Sequence, residues 1–259
     1  MATNDDLLDI AVEAATGAGT RLREVFRTGA RVATKTDFHD PVTEHDLAAE
    51  EQIRAVIGKR APGSVIVGEE GGTQPGSGEV TWYVDPIDGT ANFAAGVAFF
   101  CVSIGAAVGG ELVAGAIYDP VRDQLFTAGD GGARCDGVPL TSAGPRTDRE
   151  ALLLTSYPSA YDLAQQGEEA LHRFGRLVTS FSAVRRPGSA ALKLAHVAAG
   201  WAHACFGLGA SPWDVAAGAL LVRRAGGRYL GDPFTVGPYL ATVGGFDLAG
   251  SALAELVPA

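Results

Sequence analysis

The six residues Asp85-Pro86-Ile87-Asp88-Gly89-Thr90 limit what this chain can fold into more than any other stretch. Before them stands Val80-Thr81-Trp82-Tyr83-Val84, a β-branched and aromatic run that suits a buried, pleated strand. Pro86 has no N–H for a sheet ladder, so the strand is predicted to stop at Asp85. Gly89 permits a sharp turn of the backbone, and Thr90-Ala91-Asn92-Phe93 can open a short helix. The product is a tight turn bearing two carboxylates, with backbone N–H groups next in line. Hard divalent cations seek the first of these features and phosphate the second.

Composition narrows the setting. With 259 residues, 47% of them hydrophobic, the chain can bury a large core as one big domain or two closely packed halves. A formal charge of −10 and a pI near 4.9 argue against a sequence-independent nucleic-acid binder. They do not argue against a phosphorylated small molecule, because bound metal ions invert the local field. The three cysteines, Cys101, Cys135 and Cys205, are widely spaced with no CxxC pair, which speaks against a disulfide framework or a zinc site and for a reducing cytoplasm. The first residues are acidic where a signal peptide is basic, and no apolar stretch reaches the roughly 20 residues of a membrane span. A soluble cytoplasmic protein with no membrane partner is expected.

Along the chain, apolar residues at helical spacing (Leu7, Ile10, Ala11, Ala14, Ala18, Leu22, Val25) predict a helix over 5–26 with Asn4 as its N-cap. Residues 34–41 read as a loop or irregular hairpin. Thr43-Glu44-His45-Asp46 has the form of a capping box opening a second helix to about 59. A short strand over 65–67 leads to Gly68-Glu69-Glu70, then a Gly/Pro/Ser loop over 71–79. Apolar runs at 99–108, 112–118 and 124–128, separated by turn signals, predict an antiparallel meander, followed by a short strand at 133–135. From 151 the pattern alternates: a strand at 152–155, a helix at 167–178, a helix over 190–199 capped by Ser189, and a strand at 201–206. Ser211-Pro212-Trp213-Asp214 then opens a nearly all-apolar helix that ends at Gly226-Gly227. The predicted fold is two α/β layers, a meander-bearing half and an alternating half. Its N-terminal half (1–150) carries the helix pair, the meander and the acidic turn, and its C-terminal half (151–259) completes the site.

Asp46, Glu69, Asp85, Asp88 and Asp214 all fall at element ends. Each has an innocent reading: Asp46 and Asp214 as capping-box residues, Asp85 and Asp88 as turn formers, Glu69 as a solvated loop charge. Together they say more. Asp85 and Glu69 each follow a buried apolar run, so both carboxylates should emerge at strand ends, where α/β folds place ligands. Acids gathered there repel unless cations sit between them, and an oxygen-only set favours Mg2+ over zinc.

On these residues the chain resembles the inositol monophosphatase superfamily, the Mg2+-dependent, lithium-sensitive phosphatases. Residues 82–93, Trp82-Tyr83-Val84-Asp85-Pro86-Ile87-Asp88-Gly89-Thr90-Ala91-Asn92-Phe93, look like its first signature. Trp213-Asp214-Val215-Ala216-Ala217-Gly218 looks like its second. Gly68-Glu69-Glu70 and Asp40-Pro41-Val42-Thr43-Glu44-His45-Asp46 match its two other acidic segments in the same order. The likeness runs from about residue 5 to 250, and it implies a layered α/β sandwich of alternating helix and sheet layers (αβαβα). It also implies a phosphoric monoester hydrolase in which Glu69, Asp85 and the Ile87 carbonyl hold one Mg2+. Asp85, Asp88 and Asp214 would hold a second, with a third, weaker ion near Glu69. The Gly89 and Thr90 amides would face the phosphate. Thr90, linked to Asp46 or Glu69, would orient and deprotonate the attacking water. Two metals about 3.5–4 Å apart suit this chemistry, one activating water and the other stabilising the leaving oxygen.

Specificity is where the sequence departs from the pattern. Animal inositol monophosphatases carry a Glu six or seven residues before the second-signature Asp, and it binds inositol hydroxyls. Here that position is Gly207, in a stretch with no acid, which puts inositol 1-phosphate itself in question. By resemblance Ser189 and Ala190 line the substrate pocket and Arg185 or Arg186 approaches it, against plain roles as cap, core and surface residues. Lys35 aligns with a family loop lysine near the metal-bound waters, or is simply solvated. Scattered histidines and the absence of a Walker loop remove two other chemistries, and Cys101 and Cys205 read as core residues. Rival substrates within the superfamily are histidinol phosphate and fructose 1,6-bisphosphate. Asn92-Phe93 leans away from 3′-phosphoadenosine 5′-phosphate phosphatases, whose relatives usually have an acid there. A non-catalytic metal- or phosphate-binding regulator is the reading from another class. A homodimer is expected from the resemblance.

Overall fold

The computed structural model of the chain describes residues 2–29, 32–34 and 41–257. Two helices come first, α1 (Asn4–Val25) and α2 (Glu44–Arg60), linked through the short antiparallel pair β1 (Val32–Thr34) and β2 (Pro41–Thr43). Thr3, not Asn4, caps α1: its side chain accepts from the Asp6 N–H while Asp6 accepts from the Thr3 backbone. Both residue types suit an N-cap, and the reciprocal bond to an acid three positions on decides between them. The Thr43/Asp46 box opens α2 as its sequence predicts. Of the loop read over 34–41, residues 35–40, Lys35 and Asp40 among them, lie outside the described residues.

The large sheet holds β3 (Val65–Gly68), β4 (Gly72–Gln74), β5 (Val80–Asp88), β6 (Cys101–Val108), β7 (Glu111–Asp119), β8 (Gln124–Gly129), β9 (Gly132–Cys135) and β10 (Val138–Pro139). Their order is β10-β9-β8-β7-β6-β5-β3-β4. The antiparallel meander is as predicted, and β3 lies parallel to β5. Three details differ from the sequence reading, which lacked the two-residue strand β10. The edge strand β4 forms inside the Gly/Pro/Ser stretch, because pairing with β3 supplies what its own residues do not. Furthermore, β5 does not stop at Asp85. The ladder with β6 is irregular between Asp85↔Ser103 and Asp88↔Cys101, so Pro86 sits in a bulge that asks no N–H of it. Six residues, Thr90–Ala95, then form α3, reached through Gly89 at φ +102°.

The second sheet is built from β11 (Leu152–Thr155), β12 (Ala183–Arg185), β13 (Ala204–Ala210), β14 (Arg228–Leu230) and β15 (Gly237–Thr242), in the order β12-β11-β13-β15-β14. Its helices are α4 (Ala160–Gln166), α5 (Glu168–Ser180), α6 (Ala190–Ala198) and α7 (Pro212–Arg224). The sequence reading lacked α4, β12, β14 and β15, and it set β13 too early: Trp201, Ala202 and His203 precede the strand, and Gly207 lies within it.

Helices α1 and α2 cover one face of the large sheet, while α6 and α7 pack between the two sheets. With α4 and α5 at the far side, the layers alternate α/β/α/β/α. Close approach of α7 to the large sheet depends on missing side chains. A Cβ at Gly105 would lie 3.0 Å from the Ala216 methyl and the Ala217 N, and one at Gly115 3.2 Å from the Ala217 Cα. The residues of α7 that face these glycines, Ala216 and Ala217, are themselves small, so the helix rests on β6 and β7 with its N-terminus directed at the bulge of β5. Val215, Leu220, Leu221 and Val222 are buried in the same helix, each burial contributing about 1.5–3 kcal/mol.

Candidate active site

Three elements from different parts of the chain meet at the β5 bulge. Carboxylate oxygens of Asp85, Asp88 and Asp214 all lie within 4.8 Å of one another. Asp85 is oriented by its own turn, accepting from the Ile87 N–H at 3.0 Å. Asp88 is gripped by the start of α6: it accepts from Ser189 Oγ at 2.5 Å, from the Ala191 N–H at 2.6 Å and from the Ala190 N–H at 3.0 Å. Those amides are helix-terminal donors with no partner inside their own helix, so one carboxylate satisfies both. Asp214 arrives on the first turn of α7 and accepts from the Ser211 N–H at 2.7 Å. It is the least buried of the three.

Glu69 stands where β3 ends beside its parallel neighbour β5, with its N–H bonded to the Val84 carbonyl at 3.2 Å. Its carboxyl acts on Asp85 both by charge and by hydrogen bonding. A brace that the sequence reading missed holds this turn. Glu50 of α2, 2% exposed, accepts from the Glu70 N–H and the Gly71 N–H at 2.8 Å each. Arg54 donates to Glu50 at 2.8 Å and to the Gly72 carbonyl at 2.7 Å. The signal present was only the i, i+4 Glu–Arg spacing, which surface helices share.

Electrostatically the site gathers like charges that raise one another's proton affinity. Burial, and then the charges of Glu69, Asp88 and Asp214, push the Asp85 carboxyl well above the usual carboxylate range. Asp214 is raised to about 7, by burial first and then by Asp88. Burial also raises Asp88, although its three hydrogen-bond donors and Lys193 pull the other way. An oxygen-only set of like charges with raised proton affinity fits hard divalent cations. The chemistry of the donors therefore agrees with Mg2+.

Beside the cluster, Thr90 Oγ1 lies 2.9 Å from Asp46 Oδ1 and 3.0 Å from the Ile87 carbonyl. Asp46 is fully buried, and its other oxygen accepts from the Thr43 N–H and hydroxyl. The structure thus joins Thr90 to Asp46, one of the two partners the resemblance allowed. Next to the carboxylates opens a cleft of about 450 Å3, lined by Asp88, Ser189, Lys193, Gly207, Asp214 and Tyr239 among others. Gly89 and Ala190 also face it.

Arg185 does not reach the cleft. It is exposed on β12 and its guanidinium donates to the Val184 carbonyl at 3.0 Å. Arg186 instead ties down the loop below, donating to the Ser156 and Pro158 carbonyls. Gly207 sits in the cleft wall as β13 passes Tyr239, and a Cβ there would lie 2.7 Å from Tyr239 Cε1. Cys101 and Cys205 are buried in their strands, and Cys101 Sγ is 3.8 Å from Asp88 Oδ2.

Comparison with known proteins agrees with this architecture. The profile of the inositol monophosphatase family matches residues 3–245. The chain is 42% identical over 226 residues to the Nus factor SuhB of Pseudomonas aeruginosa, covering 85% of this chain and 83% of that protein. Among solved structures it is similar to the extragenic suppressor protein SuhB of Bartonella henselae (TM-score 0.86, 33% identity, 92% and 94% of the two chains). It is also similar to an inositol monophosphatase from Anabaena (TM-score 0.82, 36% identity, 97% and 96%). A layered α/β sandwich with acidic residues at its bulged strand, matched over nearly its whole length, places the chain in the inositol monophosphatase family.

Proposed function

We propose that the chain hydrolyses small phosphate monoesters in a Mg2+-dependent reaction of the inositol monophosphatase type, with water attacking phosphorus directly. The observation that carries this reading is the convergence of Asp85, Asp88 and Asp214 within 4.8 Å beside a cleft. Glu69, Asp85 and the Ile87 carbonyl would hold one Mg2+, and Asp85, Asp88 and Asp214 a second, with a third, weaker ion near Glu69. Bound Mg2+ supplies positive charge for the phosphoryl oxygens and lowers the pKa of water. The rest of the chemistry belongs to the chain. Thr90 donates its proton to Asp46, which leaves its oxygen lone pairs to accept from a water in the cleft. Asp46, sealed from solvent, acts through Thr90 and fixes the direction in which that hydroxyl points. Glu69 is the second acceptor on the water side. The Gly89 and Thr90 amides would meet the phosphoryl oxygens.

Asp88→Asn tests the proposal: Mg2+-dependent phosphate release should fall by about a thousandfold, and unchanged release would sink it. A panel of monoesters, with histidinol phosphate and fructose 1,6-bisphosphate included, ranks the leaving groups. Lithium inhibition and a homodimer, read by light scattering, belong to the same proposal. The Nus factor name of the relatives favours a second reading, a regulatory factor that binds without turnover. Kinetics on the wild-type chain separates the two. Among the described residues no helix is long and apolar enough to cross a membrane.

A further inference from the structure

Lys193 is the one charged residue in the apolar run of α6, and it is 2% exposed. An ammonium carries three donors. Among the described residues its recorded hydrogen bond is a single one, to Ser156 Oγ at 3.0 Å, and no ion pair is formed. Asp88 and Asp214, the nearby carboxylates, take their hydrogen bonds from Ser189, Ala190, Ala191 and Ser211 instead. The ammonium lies 6.0 Å from the centre of the Tyr239 ring. Tyr239 is 3% exposed and its hydroxyl, also buried, has no hydrogen-bond partner. Both residues line the cleft, as does Ser156. Beside Tyr239, Gly207 contributes no side chain, and the Tyr239 ring occupies the room one would need.

This corner therefore offers donors and a positive charge, a combination that a polyol does not need and a second anion does. Its place along α6 sets the reach. Lys193 follows Ser189 by four residues, so it lies one turn, about 6 Å, along the same helix face from the grip on Asp88. A group held there belongs to the far end of a short leaving group.

Resting on the phosphatase reading above, the geometry points to Lys193, with Ser156 and Tyr239, as the subsite that binds a second anionic group on the substrate, a carboxylate or a second phosphate. Lys193 is thus a specificity-determining residue that touches substrate, and the acid-free wall at Gly207 is its counterpart.

Matched substrates test this with the full-length wild-type protein and Mg2+. 3-Phosphoglycerate and glycerol 3-phosphate differ by a carboxylate in place of an alcohol; fructose 1,6-bisphosphate and fructose 6-phosphate differ by a second phosphate. At least one pair should show a preference of about tenfold or more in kcat/KM for the more anionic member, the scale of a charge-assisted hydrogen bond. The pair that shows it names the anion. Lys193→Met should collapse that ratio towards one, chiefly through KM, and Lys193→Arg should restore part of it. Equal kcat/KM within both pairs, or a Lys193→Met variant that keeps the ratio, overturns the inference. Should Lys193→Met not fold, Tyr239→Phe, which keeps the ring, should cut the ratio about threefold or more. If wild type releases phosphate from no ester, including p-nitrophenyl phosphate, the phosphatase reading fails separately. Titration calorimetry of the same pairs in Ca2+ then reads the subsite by itself: tighter binding of a more anionic member supports it, and equal affinities in both pairs overturn it.

Discussion

The starts of α1 and α7 are built alike and used differently. In each, a hydroxyl residue caps the helix and an aspartate three positions later reaches back to the cap's backbone N–H: Asp6 to Thr3 at 2.8 Å, Asp214 to Ser211 at 2.7 Å. At α1 the box stands in solvent, and its hydrogen bonds hold the Asp6 carboxyl below the usual range. At α7 burial and Asp88 drive the same kind of carboxyl up to about 7. The motif is therefore not the function. What converts a cap into a candidate ligand is a buried setting that it shares with other acids, which local sequence does not encode.

The comparison breaks most visibly on Asp214→Asn. Mg2+-dependent phosphate release should drop by about a thousandfold with the helix intact by circular dichroism, and a drop under tenfold would return Asp214 to the status of a cap. Thr90→Ala asks whether the box of α2 belongs with that of α7, since Asp46 acts through this hydroxyl. A loss of about a hundredfold in kcat is expected with little change in KM, and an unaltered kcat would leave Asp46 a purely structural residue. Glu50→Gln loosens the turn that carries Glu69, and the Mg2+ concentration for half-maximal activity should rise about tenfold.

The pH dependence has opposite signs at the two helix starts. Asp214 has a raised pKa in the metal-free fold, so it favours folding below its unfolded value of 3.8, and that contribution is lost as pH rises through about 7. Mg2+ competes with the proton, so the rise in Tm on adding Mg2+ should be small at pH 5 and on the order of 5 °C at pH 8. A rise independent of pH would contradict the buried, proton-holding cluster. Asp6, with its lowered pKa, contributes above 3.8 and loses its effect as pH falls. The smallest effect is expected from Asp6→Asn, which should lower Tm slightly and leave turnover within about twofold.

Much of this was legible in the residues. The meander, the capping boxes at Thr43 and Ser211, and the exit of Glu69 and Asp85 from neighbouring apolar runs are local patterns with a fixed period or spacing. What escaped was set by distant partners. β4 exists because β3 offers it a ladder, and β5 continues past Pro86 because β6 resumes pairing at Asp88. Glu50 has no local mark beyond its spacing to Arg54, yet it is buried against the turn of residues 69–71, which lies some 20 positions away in sequence. Lys193 did carry a signal, a lone cation in an apolar helix, but that pattern alone does not say that the helix faces a cleft.

The Tyr239 ring also fixes the order in which this pocket can change. An acid at position 207 has nowhere to go while the ring stands 2.7 Å from the first atom such a side chain would add. Trimming the ring first removes the aromatic face beneath the Lys193 ammonium. Any route towards a polyol-reading cleft must therefore cross a variant that has given up one wall before gaining the other, so that the two substitutions succeed only as a pair.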